Sequence, residues 1–309
     1  MPSISVIIPN YNHASFLRQR IESILNQTRQ EFELIILDDA STDNSRDIIE
    51  MYRHDPRVSH IIYNEKNGGS PFKQWNKGIE LAKGKWIWIA ESDDYAEPEY
   101  LEKLLEQSTL HADAGFLYCL HNWVDEKGEK LFETKTSGSV EIYKGREFIL
   151  QQMLYENGIS NVSNTLFRKE LYYKIDHTLY QNMKLCGDWF FYVLLLEHTD
   201  ILAINRIYNN YRIHASNISS KAEFEGASCI EGLPILDHII KIFHLHAFHY
   251  SLTYARRWLR LKSIYKYSDE VNEQIKKHYC SNHKQIVAWY YLLQVYRFFK
   301  LKIISNNHQ

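Results

Sequence analysis

Short apolar runs alternate with helically spaced apolar residues through the first third of the chain. Ile4 to Ile8 reads as a strand ending at Pro9, and Leu17, Ile21, Ile24 and Leu25 recur at the spacing of one helix face. Leu34 to Leu37 makes a second strand, which stops abruptly at Asp38, Asp39 and Ala40. A helix from about Ser45 to Arg53 follows, then a strand from Val58 to Tyr63, a turn at Asn67 to Gly69 and a helix from Pro71 to Ala82. Trp86 to Ile89 is a fourth strand, running into Glu91, Ser92, Asp93 and Asp94. Strict alternation predicts parallel strands joined by right-handed crossovers. The acids that end strands two and four then share one edge of the sheet, the edge where open α/β sheets bind ligands.

Farther along, the pattern predicts a helix over Glu99 to Gln107, a strand over Gly115 to Leu120 and a hairpin turn at Asp125 to Gly128. A helix over Arg146 to Tyr155 precedes the segment Gly158 to Arg168, whose Asn161, Ser163 and Asn164 line a pocket or make a polar turn. Gly187 and Asp188 head an intensely apolar helix, and strands at Ile201 to Ile204 and Tyr208 to Ile213 lead to His214. Beyond a boundary near Ser216 to Lys221 only helical spacing remains, begun by Ile235, Tyr254, Val271 and Ile286. The expected architecture is α/β, with a mainly parallel sheet flanked by helices and a helical C-terminal subdomain.

Composition narrows the class. With 309 residues and 45% hydrophobic content, the chain can bury a sizeable core. No apolar stretch approaches the roughly 20 residues of a membrane span, and no cationic leader precedes the first strand. Four scattered cysteines without a CxxC pair argue against a zinc site or a disulfide framework. A cytoplasmic chain is expected. From Lys241 onward 12 Lys and Arg face 3 Asp and Glu, a local +9 interleaved with aromatics such as Tyr254, Trp258 and Tyr290. That end suits an anionic membrane surface, or is a helical appendage with a solvated basic face.

The candidate chemistry sits at strand ends. Glu91, Asp93 and Asp94 offer hard oxygen ligands to Mg²⁺ or Mn²⁺, or else Asp94 caps the next helix. Tyr11, after the first strand, either stacks on a base or packs beneath its loop. Asp188 is an N-cap or a general base at the rim of a core. His214 is a structural histidine or a ligand. Neither GxGxxG nor GxxxxGK[ST] is present, which excludes a dinucleotide fold and a P-loop and weakens the case for a sugar-1-phosphate nucleotidyltransferase.

In their order, Pro9 with Tyr11, the Asp38 and Asp39 pair, the Glu91 to Asp94 cluster and Gly187, Asp188, Trp189 resemble the family 2 glycosyltransferases of the GT-A fold. The run from Asn67 to Pro98 is similar to the bacterial members that build surface polysaccharides. The resemblance covers roughly residues 3 to 216, and implies a domain over 1–216, with a nucleotide-binding half over about 1–97 and an acceptor half over about 98–216, and a separate helical part over 217–309. It implies an inverting, metal-dependent enzyme that moves a sugar from a nucleotide-diphosphate donor to a glycan or lipid-linked glycan acceptor. Nucleic acid is not an expected partner. The enzyme would be cytoplasmic or peripheral at the inner face of the plasma membrane. Pro9 and Tyr11 would border the base, Asp39 would bond its edge, and Lys73 and Asp93 would meet the donor. Asp93, Asp94, Glu91 and His214 are the implied metal ligands, and Asp188 the catalytic base. Two positions depart from the family pattern: Gly187 stands where an acid is frequent, and Trp75 where an arginine is. A non-catalytic scaffold protein of the same fold is the remaining alternative.

Overall fold

The computed structural model describes residues 2–215 and 225–306, so the boundary expected at Ser216 to Lys221 lies outside the described residues. The first strands and helices follow the predicted alternation: β1 (Ile4–Asn10), α1 (Ala14–Leu25), β2 (Phe32–Asp38), α2 (Ser45–Glu50), β3 (Val58–Tyr63), α3 (Pro71–Leu81) and β4 (Trp86–Ile89). These strands lie parallel in the order β3-β2-β1-β4. Every residue of β1, β2 and β4 is buried, as expected of central parallel strands covered on both faces. Ile4, Val6, Ile8, Leu34, Ile36 and Trp88 close on Leu17, Ile21 and Ile24 of α1. Each such side chain stabilises the fold by roughly 1.5–3 kcal/mol relative to exposure.

The register sets the site. Asn10 lies opposite Asp38, and Ile7 opposite Ile89, so Asp39 and Glu91 both leave the sheet beside the end of β1.

The sheet continues through β5 (Tyr95–Ala96), β6 (Ala114–Val124), β7 (Lys130–Phe132), β8 (Val140–Tyr143), β9 (Thr165–Arg168) and β10 (Asp200–Arg212). Helices α4 (Tyr100–Leu110), α5 (Gly145–Gln152), α6 (Lys169–Tyr172) and α7 (Gly187–Leu196) lie between them. The whole sheet runs β3-β2-β1-β4-β9-β6-β10-β5, mainly parallel, with β9 antiparallel to both of its neighbours. Three expectations are corrected. The strands expected at Ile201 to Ile204 and Tyr208 to Ile213 are one strand, β10, whose register slips between Ile204 and Asn209, so the polar Asn205 and Arg206 mark bulges and not a break. The helix expected to reach Tyr155 ends at Gln152. Thr165 to Arg168, read as part of a polar segment, is a strand closing the sheet between β4 and β6.

Residues 152–157 group with the C-terminal helices, and 158–215 with the sheet. The second unit contains four helices among the described residues: Ala227–Phe243, Ala247–Tyr265, Asp269–Asn282 and Lys284–Asn306. Its aromatics are spent largely inside. Trp258 stacks on Tyr290 with centroids 3.7 Å apart, and the buried Tyr279 and Tyr254 hydroxyls donate to the carbonyls of Cys229 and Gly232. Tyr291, Leu292, Val295 and Tyr296 remain exposed at 45–63% on the last helix. No helix among the described residues is long and apolar enough to cross a membrane.

Candidate active site

The acid loop after β4 is held from three elements, and its three carboxylates face different partners. Glu91 accepts a hydrogen bond at 2.9 Å from the indole N–H of Trp75 on α3, and burial together with Asp93 pushes its carboxyl up to about 8. Asp93 turns to His214, Oδ2 to Nε2 at 3.0 Å. Burial would raise its carboxyl, but the His214 hydrogen bond and the two histidines outweigh this and hold it below the usual range. Asp94 is buried among Asn161 Nδ2 at 2.7 Å, the backbone N–H of Arg212 at 3.0 Å and the Arg20 guanidinium at 3.6 Å. Burial and the Asp93 charge move its carboxyl upward. It does not cap the following helix, which Glu99 precedes.

Among the described residues, one group of side chains has its ligand atoms close enough to share a cation: His13, Asp93 and His214, all within 4.8 Å of one another. His13 Nδ1 lies 2.8 Å from Ser92 Oγ, which leaves Nε2 for a ligand role. Burial lowers its basicity, favouring the neutral imidazole that binds metals. Of the four residues expected around a metal, the structure brings Asp93 and His214 together and engages Glu91 and Asp94 elsewhere. His13 was missed; the only signal was its place in the polar loop after β1.

At the neighbouring strand end, Asp39 is buried and follows β2. Its Oδ1 accepts from Asn64 Nδ2, Gln74 Nε2 and the Gly68 N–H, whereas Oδ2 accepts from Gly68 alone among the described residues, at 2.9 Å. Oδ2 is therefore the oxygen with capacity for a ligand donor. Ala40, the next residue, sits at φ 63°, and Asn12, after Tyr11, at φ 56°. Left-handed backbone in an alanine is a strain that clusters at ligand sites. Asn12 and Thr42 clasp the two loops, Thr42 N–H donating to Asn12 Oδ1 at 2.7 Å. Tyr11 is 43% exposed, whereas Pro9 is buried within β1, which runs one residue beyond the predicted end. Lys73 Nζ is hydrogen-bonded to the Gly68 carbonyl at 3.0 Å.

Asp188 occupies the first turn of α7, one residue after the position that Gly187 opens. A carboxylate there is favoured by the helix dipole. Gly187 has a steric reason to lack a side chain: a Cβ would come within 2.3–2.7 Å of the Phe72 ring. Phe72 packs edge-on against Trp75 at 4.8 Å, and Trp75 bonds Glu91, so the base of α7 and the acid loop are joined through two aromatic rings. Trp75, standing where an arginine is frequent, thus serves Glu91. Gly187→Ala is expected to destabilise the fold by about 1–3 kcal/mol through overpacking. Urea midpoints of Gly187→Ala, Phe72→Leu and the double variant check this. A favourable coupling between the two sites is expected, and additive losses would remove the contact as the cause.

Two further residues escaped the sequence reading, both arginines. Arg20 and Arg212 are fully buried, with guanidinium N–H groups on the carbonyls of Glu91 and Asp93 respectively, at 2.7 and 2.8 Å. On helical or strand periodicity each is a polar residue with no visible partner, because the partners are 71 and 119 positions away.

Residues 5–176 match glycosyl transferase family 2, a stretch that includes the acid loop and stops short of Asp188 and His214. TuaG of Bacillus subtilis, named for teichuronic acid biosynthesis, is 38% identical over 105 residues, covering 34% of this chain and 41% of TuaG. EpsH of the same organism is 28% identical over 223 residues, covering 70% of this chain and 62% of EpsH. The chain therefore spans less than two thirds of either relative. Among solved structures, S. aureus TarS in complex with UDP-GlcNAc superposes with a TM-score of 0.65 at 19% identity, over 96% of this chain and 92% of that one. A parallel sheet with its acids gathered at one edge, matched over more than half of the chain, makes this protein a member of glycosyl transferase family 2 with the GT-A fold.

Proposed function

We propose that the chain moves a sugar from a nucleoside-diphosphate donor to an acceptor hydroxyl with inversion at the anomeric carbon. The observation that carries this reading is the cluster of His13, Asp93 and His214 at the sheet edge that also holds Asp39, with Gly187, the residue before Asp188, against Phe72, whose neighbour Trp75 bonds Glu91 of the same acid loop. Residues to about 97 would bind the nucleotide, with Tyr11 against the base and Asp39 Oδ2 on its edge. Residues 98–216 would bind the acceptor, and 217–309 would form the separate helical part. The teichuronic acid biosynthesis in TuaG's name supports a glycan acceptor, and the TarS complex with UDP-GlcNAc supports UDP as the first nucleotide to test.

Two imidazoles and a carboxylate fit a divalent cation, Mn²⁺ better than the harder, oxygen-preferring Mg²⁺. His13, Asp93 and His214 would hold it, and when bound it would neutralise charge on the departing diphosphate. Asp188 takes the proton of the acceptor hydroxyl as that oxygen attacks the anomeric carbon. The new C–O bond forms on the face opposite the leaving group, the bond to the diphosphate oxygen breaks, and nucleoside diphosphate departs. No covalent sugar intermediate is required.

Calorimetric titration with UDP, GDP, dTDP and CDP, with and without Mn²⁺, should find one that binds tightly only with the metal. Transfer should then release that nucleoside diphosphate. Pyrophosphate release would indicate a nucleotidyltransferase instead, and absence of binding to any of the four would favour a scaffold.

The exposed stripe of Tyr291, Leu292, Val295 and Tyr296, on a segment carrying a local +9, supports peripheral attachment to an anionic membrane. Flotation with phosphatidylserine vesicles should show binding that weakens as salt rises and is lost when these four become serine. Equal flotation with neutral vesicles would sink the idea.

A further inference from the structure

Arg20 lies on α1 with no solvent exposure, yet the hydrogen bonds and ion pair of its guanidinium go to Glu91 and Asp94 of the acid loop and to Ser163 in the turn beside it. Its Nε donates to the Glu91 carbonyl at 2.7 Å. Its Nη2 donates to Ser163 Oγ at 3.1 Å and stands 3.6 Å from Asp94 Oδ2. Ser163 Oγ also accepts from the Glu91 N–H at 3.1 Å, so Ser163 and Arg20 hold the N–H and the carbonyl of the same residue, Glu91. The guanidinium lies over the Trp88 ring, 5.7 Å from its centroid, which packs one of its faces. Its third nitrogen, Nη1, is buried and has no hydrogen-bond partner among the described residues.

A buried cation with an unsatisfied donor is costly unless something is gained from its position. The gain is legible in where the three acids point. Asp94 has Arg20 and Asn161 at one oxygen and the Arg212 N–H at the other, so both of its oxygens are engaged by the protein. With Asp94 tied inward and the Glu91 carbonyl pinned, Asp93 is the carboxylate of the loop that meets the histidines.

We propose that Arg20 is a positioning residue: it fixes the Glu91 carbonyl and anchors Asp94, and thereby presents Asp93 to His13 and His214. The proposal rests on the reading of those three residues as a divalent-cation site and adds that Asp94 is an anchor and not a ligand. A guanidinium suits the task because its planar fork reaches a carbonyl, a hydroxyl and a carboxylate at once, which an ammonium cannot.

The test uses Mn²⁺ alone as the probe, with the free-ion electron paramagnetic resonance signal reporting affinity and thermal melting reporting the fold. The 309-residue parent is compared with Arg20→Met, Arg20→Lys and the double variant Arg20→Met, Asp94→Asn. Arg20→Met is expected to weaken Mn²⁺ binding by roughly 10- to 100-fold, the usual effect of losing an outer-shell support. Arg20→Lys should recover part of that loss. The double variant removes both charges together, so it stays folded if the single variant does not, and it should remain weak because the Glu91 carbonyl is still unpinned. A purely structural role would lower the melting temperature and leave Mn²⁺ affinity unchanged below it. Parent-like affinity in a folded Arg20→Met or in the double variant, while the parent binds Mn²⁺, overturns the role of Arg20 alone. A parent that binds no Mn²⁺ overturns the cation site, and this proposal with it.

Discussion

Asp188→Asn is expected to keep the parent's affinity for whichever nucleoside diphosphate the titrations select, and to slow sugar transfer by a factor on the order of 10² to 10⁴, the usual contribution of a positioned general base. The substitution isolates the proton-accepting function because asparagine has nearly the same shape. Its carbonyl oxygen can keep the hydrogen bond that Asp188 Oδ1 accepts from the Trp189 N–H at 2.7 Å, so the first turn of α7 need not move. What disappears is a group able to hold the proton of the acceptor hydroxyl. Steady-state rates beside calorimetry distinguish the outcomes. Unchanged transfer would remove Asp188 from the role of base. A joint loss of binding and transfer would make it a structural residue of the α7 N-terminus.

Asp93→Asn should abolish metal-dependent nucleotide binding, with Mn²⁺ affinity falling by at least about 100-fold, since the change removes the charged ligand itself and not an outer-shell support. The expectation follows from the orientation of the side chain: Asp93 Oδ2 lies 3.0 Å from His214 Nε2 and within reach of His13. Glu91→Gln should have a smaller effect on Mn²⁺, because the carboxyl of Glu91 faces the Trp75 indole and burial already disfavours its charged form. Competition of Mn²⁺ binding among Asp93→Asn, Glu91→Gln and His13→Ala ranks the ligands. Parent-like affinity in Asp93→Asn beside a large loss in Glu91→Gln would reverse the assignment.

The elements around the site were legible to different degrees for physical reasons. β1, β2 and β4 are covered on both faces, so their sequences are continuous apolar runs that stand out at once. β5 has two residues and β8 is a half-exposed edge strand, and neither carries a pattern long enough to read. β9 is apolar but only four residues long, following directly on the polar turn at Asn161 to Asn164. That turn is itself buried, because its Asn and Ser side chains are satisfied by Asp94, Glu91, Arg20 and His121, which polarity alone could not reveal.

Taken alone, the sequence determined the layered α/β plan, the parallel start of the sheet, and the edge at which its acids collect. Those features follow from local periodicity and from the abrupt stop of apolar runs at charged residues, and both are properties of neighbouring positions. Only the tertiary structure decided how the acids divide their work. Glu91, Asp93 and Asp94 are nearly equivalent in sequence, and become different because Trp75, His214 and Arg20 approach them from α3, from the end of β10 and from α1. The same holds for Gly187, whose missing side chain is explained by the Phe72 ring, 115 positions earlier, in the space a Cβ would need. A carboxylate's chemistry depends on what replaces water around it, and that is set by chain segments far apart in sequence and brought together by the fold.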